Sequence, residues 1–226
     1  MPFVVKQSAT GVLVRNSLFT LARLTANPKA KKLLPRLRPH HDHLKAMQAK
    51  ANEAEDAVIF AEAAFAECEL AATSLLTQGQ LDLISDVGRD FQHPSYRLVF
   101  PKGLTGAKKM TGEHLYADMP RLLKAFGQLP QGSRARAHEK PLREVYKSWD
   151  APNKALAQAR LDQADAANAM LAAREKWFDA YDAMEGLLKA EFPRRKSLID
   201  SFFRKPKNGK RAAAAPAQPG AATTAG

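Results

Sequence analysis

From Leu44 onward, apolar residues recur in alternating steps of three and four: Leu44, Met47, Ala51, Ala54, Val58, Ala61, Phe65, Cys68, Ala72 and Leu75. A second series starts at Leu156 and continues through Ala159, Gln163, Ala166, Met170, Ala173, Trp177, Ala180, Met184 and Leu187, with Gln163 as its polar member. A 3-4 repeat of this length is the seam of a coiled-coil helix. At 1.5 Å per residue each seam is about 47 Å long, so the two can lie side by side over their full length. The chain has 41 alanines and 26 leucines against eight valines and three isoleucines. Strands favour β-branched residues and helices favour Ala and Leu, so a β-rich fold is excluded.

Side-chain volume argues for the direction of pairing, because a filled interface sets large residues against small ones. An antiparallel register with Trp177 opposite Ala54, Phe65 opposite Ala166, Val58 opposite Ala173 and Met170 opposite Ala61 satisfies this. The parallel, in-register alternative sets Phe65 against Trp177 and stacks alanine on alanine. In the antiparallel register Cys68 faces Gln163. The thiol then reads as a core residue rather than a nucleophile, and Gln163 as a register-setting polar residue. A single cysteine excludes an intramolecular disulfide and any multi-cysteine zinc site. It points to a reducing compartment and a cytoplasmic location.

The expected fold is all-α: an elongated antiparallel helical hairpin or coiled coil with short accessory helices at both ends. Its organisation reads as a basic N-terminal helical segment over 1–38, a helical hairpin or bundle over 39–206, and a disordered Ala/Pro-rich tail over 207–226. The long helices are placed at about 40–90 and 152–192, with accessory helices within 94–150. Val14, Leu18 and Leu21 suggest the buried face of an N-terminal amphipathic helix. A further helix over about 111–129 carries the stripe Leu115, Met119, Leu122 and Phe126, against which Tyr146 and Trp149 are expected to pack. Gly79 interrupts the first seam without ending its helix. Pro152 is read as a first-turn proline behind an Asp150 cap, and Pro141 as the start or kink of a segment.

The insert Tyr96-Arg97-Leu98-Val99-Phe100-Pro101-Lys102-Gly103-Leu104 between two Ala-rich helices, with the closing Ser201-Phe202-Phe203-Arg204, resembles a group of bacterial Ala-rich helical-hairpin proteins without an assigned activity. The resemblance covers roughly residues 40–206. It implies the hairpin fold and no functional residue.

Charge is the feature that bears on function. The net charge is +12. Residues 1–41 carry eight Lys/Arg and no acid, and residues 193–226 carry eight against Asp200 alone, while 42–192 hold 19 bases and 22 acids. An antiparallel hairpin would bring both basic ends to one pole. The candidate residues for an anionic partner are Lys29, Lys31, Lys32, Arg36, Arg38, Arg194, Arg195, Lys196, Arg204, Lys205, Lys207, Lys210 and Arg211. Concentrated positive charge of this kind attracts phosphate or anionic lipid, though it also serves solubility. The leading expectation is a non-enzymatic interaction or scaffold protein whose basic pole docks an acidic macromolecule, DNA or RNA, without sequence preference. Deleting residues 193–226 is expected to weaken that binding without unfolding the hairpin. The alternative is a peripheral protein on an anionic membrane surface. Helical surfaces could also serve a protein partner or a homo-oligomer. No apolar run approaches the length of a membrane span, because Ala57 to Thr77 contains Glu62, Glu67 and Glu69. The acid-free N-terminus lacks the order of a secretory signal and has a mitochondrial-presequence character only in its basicity.

His40 and His43 are the weak candidates for a metal, since they could share a helix face and imidazole suits zinc or nickel. The plainer reading of His40-His41-Asp42-His43 is an exposed helix start. No metal site and no cofactor is expected. The segment Lys102–Lys109 has neither Walker spacing nor a Lys-Ser/Thr pair and reads as a turn. The seams hold no acid, which argues against a ferritin-like di-metal core. No catalytic constellation stands out, and the chain is expected not to be an enzyme.

Overall fold

The computed structural model describes residues 8–103 and 111–204. Among these residues every regular element is helical. In order they are α1 (Thr10–Ala26), a 3-10 turn (Lys31–Leu33), α2 (Leu34–Asp86), α3 (Pro94–Val99), α4 (Gly112–Gly127), a second 3-10 turn (Arg134–His138), α5 (Glu139–Glu191) and α6 (Lys196–Asp200). The two long helices pack against each other as an all-α hairpin. The chain divides into two compact units, one of residues 1–48 with 171–226, the other of residues 49–170.

The seams fall where the repeat puts them. On α2 Leu44, Val58, Phe65 and Ala72 are buried and the six remaining seam residues are partly buried. The seam positions of α5 are likewise buried or partly buried from Leu156 to Leu187. Both helices nevertheless begin earlier than the prolines suggest. Helix α2 starts at Leu34 and runs through Pro39, and α5 starts at Glu139 and contains Pro152 rather than beginning at it. Buried positions at helical spacing explain both extensions. Leu37 and His41 precede Leu44 at steps of four and three, a local break in the strict alternation, and Leu142, Val145, Trp149 and Pro152 lead into Leu156 in the same alternating 3-4 spacing as the second seam. Leu37, Leu142 and Trp149 are fully buried. An interior proline costs about 3 kcal/mol, comparable to the gain from burying one or two large side chains, so burial decides.

In the 49–170 unit, α2 and α5 run antiparallel, but not in the volume-matched register. Arg160 pairs with Glu62, His138 with Asp82 and Arg134 with Asp86. The expected register would have set Glu62 opposite Ala169 and Asp82 opposite Trp149. The difference is a slide of about three helical turns. Cys68 accordingly meets Ser148, not Gln163, and burial, reinforced by the neighbouring Glu67 carboxylate, pushes its thiol pKa up. The slide follows from the early start of α5, which supplies Leu142, Val145 and Trp149 as partners. Phe65 packs on Trp149 with centroids 5.2 Å apart. Helix α4 covers this pair with Leu115, Met119, Leu122, Leu123 and Phe126, all buried. Tyr116 of α4 meets Trp149 edge-on at 5.5 Å and Tyr146 at 5.2 Å, as the sequence suggests. A Cβ on Gly79 would come within 2.9 Å of the Phe126 ring, so the glycine marks a close helix approach. Helix α2 ends at Asp86 and turns through Gly88 and Arg89, both with positive φ.

In the unit of residues 1–48 and 171–226, the start of α2 and the end of α5 pack with α1 and α6 around Leu13, Leu24, Leu37, Leu44, Trp177, Tyr181, Met184 and Leu188. Helix α1 buries Leu13, Ser17, Thr20, Leu21 and Leu24, while Leu18 is 58% exposed. The expected face through Leu18 is therefore rotated. Two of its polar members find partners that a purely apolar stripe would miss: Thr20 Oγ1 lies 3.2 Å from Tyr181 Oη, and Arg174 donates to Thr10 Oγ1, while Ser17 Oγ is buried without a partner.

Candidate anion-docking surface

Helix α1 and the residues around α6 meet inside one unit. Arg23 of α1 donates to Ser201 Oγ at 2.9 Å and lies 5.9 Å from the centroid of the Phe202 ring. Ile199, Phe202 and Phe203 are buried in the same core as Leu13 and Leu24. Phe202 stacks on Phe192, and Phe203 meets Tyr181 edge-on. These phenylalanines are structural, so they offer no exposed face for stacking on bases. Deletion of residues 193–226 would remove Ile199, Phe202 and Phe203 from this core, so that truncation would change packing as well as charge.

Every described member of the basic set belongs to this unit. Lys29, Lys31 and Lys32 lie between α1 and α2, Arg36 and Arg38 on the first turns of α2, Arg194 and Arg195 after α5, Lys196 at the start of α6, and Arg204 beyond it. All nine are exposed. Lys205, Lys207, Lys210 and Arg211 lie outside the described residues. Of the nine, Lys32 is partly committed, through an ion pair with Glu191 at 2.5 Å. Arg194 adopts φ 62° as the chain leaves α5, and with Arg195 it sits where a helix C-terminus favours cations. That local stabilisation accounts for two cations but not for the set.

The unit carries 20 Lys/Arg against 7 Asp/Glu, a net +13, whereas the 49–170 unit carries 15 against 16, a net −1. The chain's whole positive excess thus resides in one unit. The sequence reading found the two basic ends but omitted Arg23, which pins them together. Its partner Ser201 is distant in sequence, and no local signal announces the contact.

The histidines separate. His41, expected on an exposed helix start, is buried on the seam with Nδ1 unpartnered. Burial lowers its pKa below 6.5 against the pull of Asp42, and Lys45 and Arg38 lower it further. His43 is exposed, and His40 lines an open groove of about 580 Å³ with Arg36, Ala180, Ala183, Gly186 and Leu187. Among the described residues no group of three His, Cys, Asp or Glu side chains is placed to hold a metal ion. The Leu104 to Lys109 part of the glycine-lysine segment lies outside the described residues. No described helix is long and apolar enough to cross a membrane. No family model, curated protein or solved structure matches the chain.

Proposed function

We propose that the chain is a non-enzymatic, cytoplasmic interaction protein that uses the 1–48/171–226 unit to dock polyanions, with nucleic acid as the partner and without sequence preference. The observation that carries this reading is the segregation of charge: a net +13 unit beside a net −1 unit, with nine exposed cations contributed by both chain ends. Solubility is served by mixed charge over a whole surface, whereas phosphate attraction benefits from concentration on one body. With no exposed aromatic pair among the described residues and no base-reading motif in the sequence, affinity would come from counterion release and fall steeply with salt.

Residues 205–226 follow the described core and contain Lys205, Lys207, Lys210 and Arg211. Their deletion leaves Phe202 and Phe203 in place, so it replaces the 193–226 truncation as the test. In a mobility-shift assay at low ionic strength, the truncated chain is expected to bind duplex DNA more weakly than the full chain, with unchanged helicity by circular dichroism. Equal binding by both would remove the tail from the site, and no binding by either would refute the reading.

A second reading, attachment to an anionic membrane surface, is favoured by one observation. Val12, Leu18 and Phe19 of α1 are 40%, 58% and 38% exposed on the helix that carries Arg15 and Arg23. Flotation with phosphatidylserine vesicles, lost in a Leu18→Asp/Phe19→Asp variant that still shifts DNA, would favour it.

A further inference from the structure

Helix α5 ends on a residue that its own dipole disfavours. Glu191 closes the helix at the C-terminal end, where cations are stabilised and a carboxylate is not. It is also the one acid between Gly186 and Ile199, and residues 1–41 contain none. Bases surround it in the chain: Arg194, Arg195 and Lys196 follow within five residues. A carboxylate placed for the stability of α5 would sit at the other end of the helix. Its partner accounts for its position. Lys32, from the 3-10 turn before α2, brings Nζ to 2.5 Å from Glu191 Oε2, with the lysine side chain 65% exposed and the glutamate side chain 22%. The carboxylate is therefore the more enclosed half of the pair, and the ammonium is the half that solvent and ligands reach.

This ion pair lies inside the candidate docking surface. Of the nine described cations of that surface, Lys32 alone forms an ion pair among the described residues. A carboxylate and a phosphate oxygen offer an ammonium group the same thing, a charge-assisted hydrogen bond. Glu191 thus supplies from within the chain what a polyanion supplies from outside. We propose that Glu191 is an internal counter-anion of the docking surface, which occupies Lys32 in the free protein and withholds it from phosphate. Docking then either displaces the carboxylate or proceeds without Lys32. An exposed ion pair is weak, so the contact lowers the affinity and shifts the salt range of docking without blocking it. The inference rests on the polyanion reading and concerns the regulation of that same surface.

Fluorescence anisotropy with the full-length chain and one duplex DNA tests it, over a salt series around 0.1 M, where the Debye length of about 10 Å separates local from distant charge. The control is Glu175→Gln, which changes net charge equally at an exposed residue about 24 Å away along α5. Glu191→Gln is expected to bind about threefold more tightly than Glu175→Gln, the size of effect that an exposed pair allows. Its plot of log affinity against log salt should steepen by about 0.9, the increment for one further phosphate contact. Two double variants of equal net charge then locate the gain. Glu191→Gln/Lys32→Gln should return to wild-type affinity and slope, whereas Glu191→Gln/Lys50→Gln, altered at an exposed lysine of the other unit, should keep the gain. Equal binding by Glu191→Gln and Glu175→Gln overturns the proposal, as does a gain that survives Lys32→Gln. A pair that only fastens the turn to α5 would lower the melting temperature of Glu191→Gln and leave the slope unchanged, which also overturns it. Wild-type protein that binds no DNA at low salt refutes the polyanion reading and this inference together, while binding without the Glu191 effect refutes this inference alone.

Discussion

The two units are built alike and charged differently. Each takes a stretch of the same two long helices, adds short helices, and closes around a fully buried tryptophan, Trp149 in one and Trp177 in the other. Each tryptophan packs on aromatic neighbours: Phe65 and Tyr116 for Trp149, Phe178 and Tyr181 for Trp177. Yet one unit is net +13 and the other net −1. Packing is therefore specified by the buried stripe, and the exposed positions are left free to carry a separate message. The 49–170 unit pairs part of its charge internally, in Arg160 with Glu62 and Glu113 and in Asp86 with Ser133 and Arg134. In the other unit, Lys29, Lys31, Arg36, Arg38, Arg194, Arg195, Lys196 and Arg204 are exposed and form no ion pair among the described residues.

The largest effect expected from this parallel is loss of either tryptophan. Trp177→Ala and Trp149→Ala should each cost about 3–5 kcal/mol in chemical denaturation, with hydrogen exchange rising first in the unit that contains the change. The corresponding Trp→Phe changes should cost much less, because both indole Nε1 groups are buried without a partner. Uniform loss of protection across both units would contradict separate cores.

A smaller contrast of opposite sign is expected at two helical glycines. Gly79→Ala forces a methyl against Phe126 and should destabilise by about 1–3 kcal/mol. Gly186→Ala meets open space and should stabilise by about 0.5–1 kcal/mol through helix propensity alone. Thermal melts of the two variants read both signs.

The smallest difference lies in pH response. Burial lowers the pKa of His41, so the unfolded chain takes up its proton first as pH falls. The stability of its unit should decline below pH 6.5, and His41→Leu should remove that component. Burial alone would raise the Asp86 carboxyl, but hydrogen bonds from Ser133, Ala135 and Arg134, with the Arg134 charge, hold it below its ordinary 3.8. Its contribution is complete above pH 3.8 and lost as pH falls through the lower folded value, so Asp86→Asn should flatten the acid limb of the other unit only. Exchange rates followed by unit from pH 7 to pH 3 separate the two.

The hairpin was legible because its seam is repetitive, and all ten positions of the first seam turn inward. What misled was punctuation. Pro39 and Pro152 are strong local stop signals, but Leu37 and His41 on one side and Leu142, Val145 and Trp149 on the other continue the helical spacing of the seams past them. The register error followed directly, since a helix shortened at Pro152 has no Trp149 to set against Phe65. Phe202 and Phe203 stood out in the sequence only as part of the closing Ser201-Phe202-Phe203-Arg204 motif, because their burial depends on α1, which lies far away in the sequence. The pooling of both basic ends was legible from antiparallel topology and charge count together. The groove beside Arg36 was not, because Ala180, Ala183 and Gly186 read as ordinary helix residues until the surface they leave open is seen.

The central claim, that charge in one unit and not the other meets polyanions, is tested by fluorescence anisotropy with two duplexes of unrelated sequence across a salt series. Two variants of equal net charge are compared with the wild type: Lys29→Gln/Lys31→Gln/Arg36→Gln/Arg38→Gln in the basic unit, and Lys50→Gln/Arg89→Gln/Lys124→Gln/Lys140→Gln in the other. All eight side chains are exposed. The predicted result is equal affinity of the wild type for both duplexes, a loss of at least about tenfold with a shallower salt slope for the first variant, and near wild-type behaviour for the second. Equal losses in the two variants, or no binding by the wild type at low salt, would contradict it.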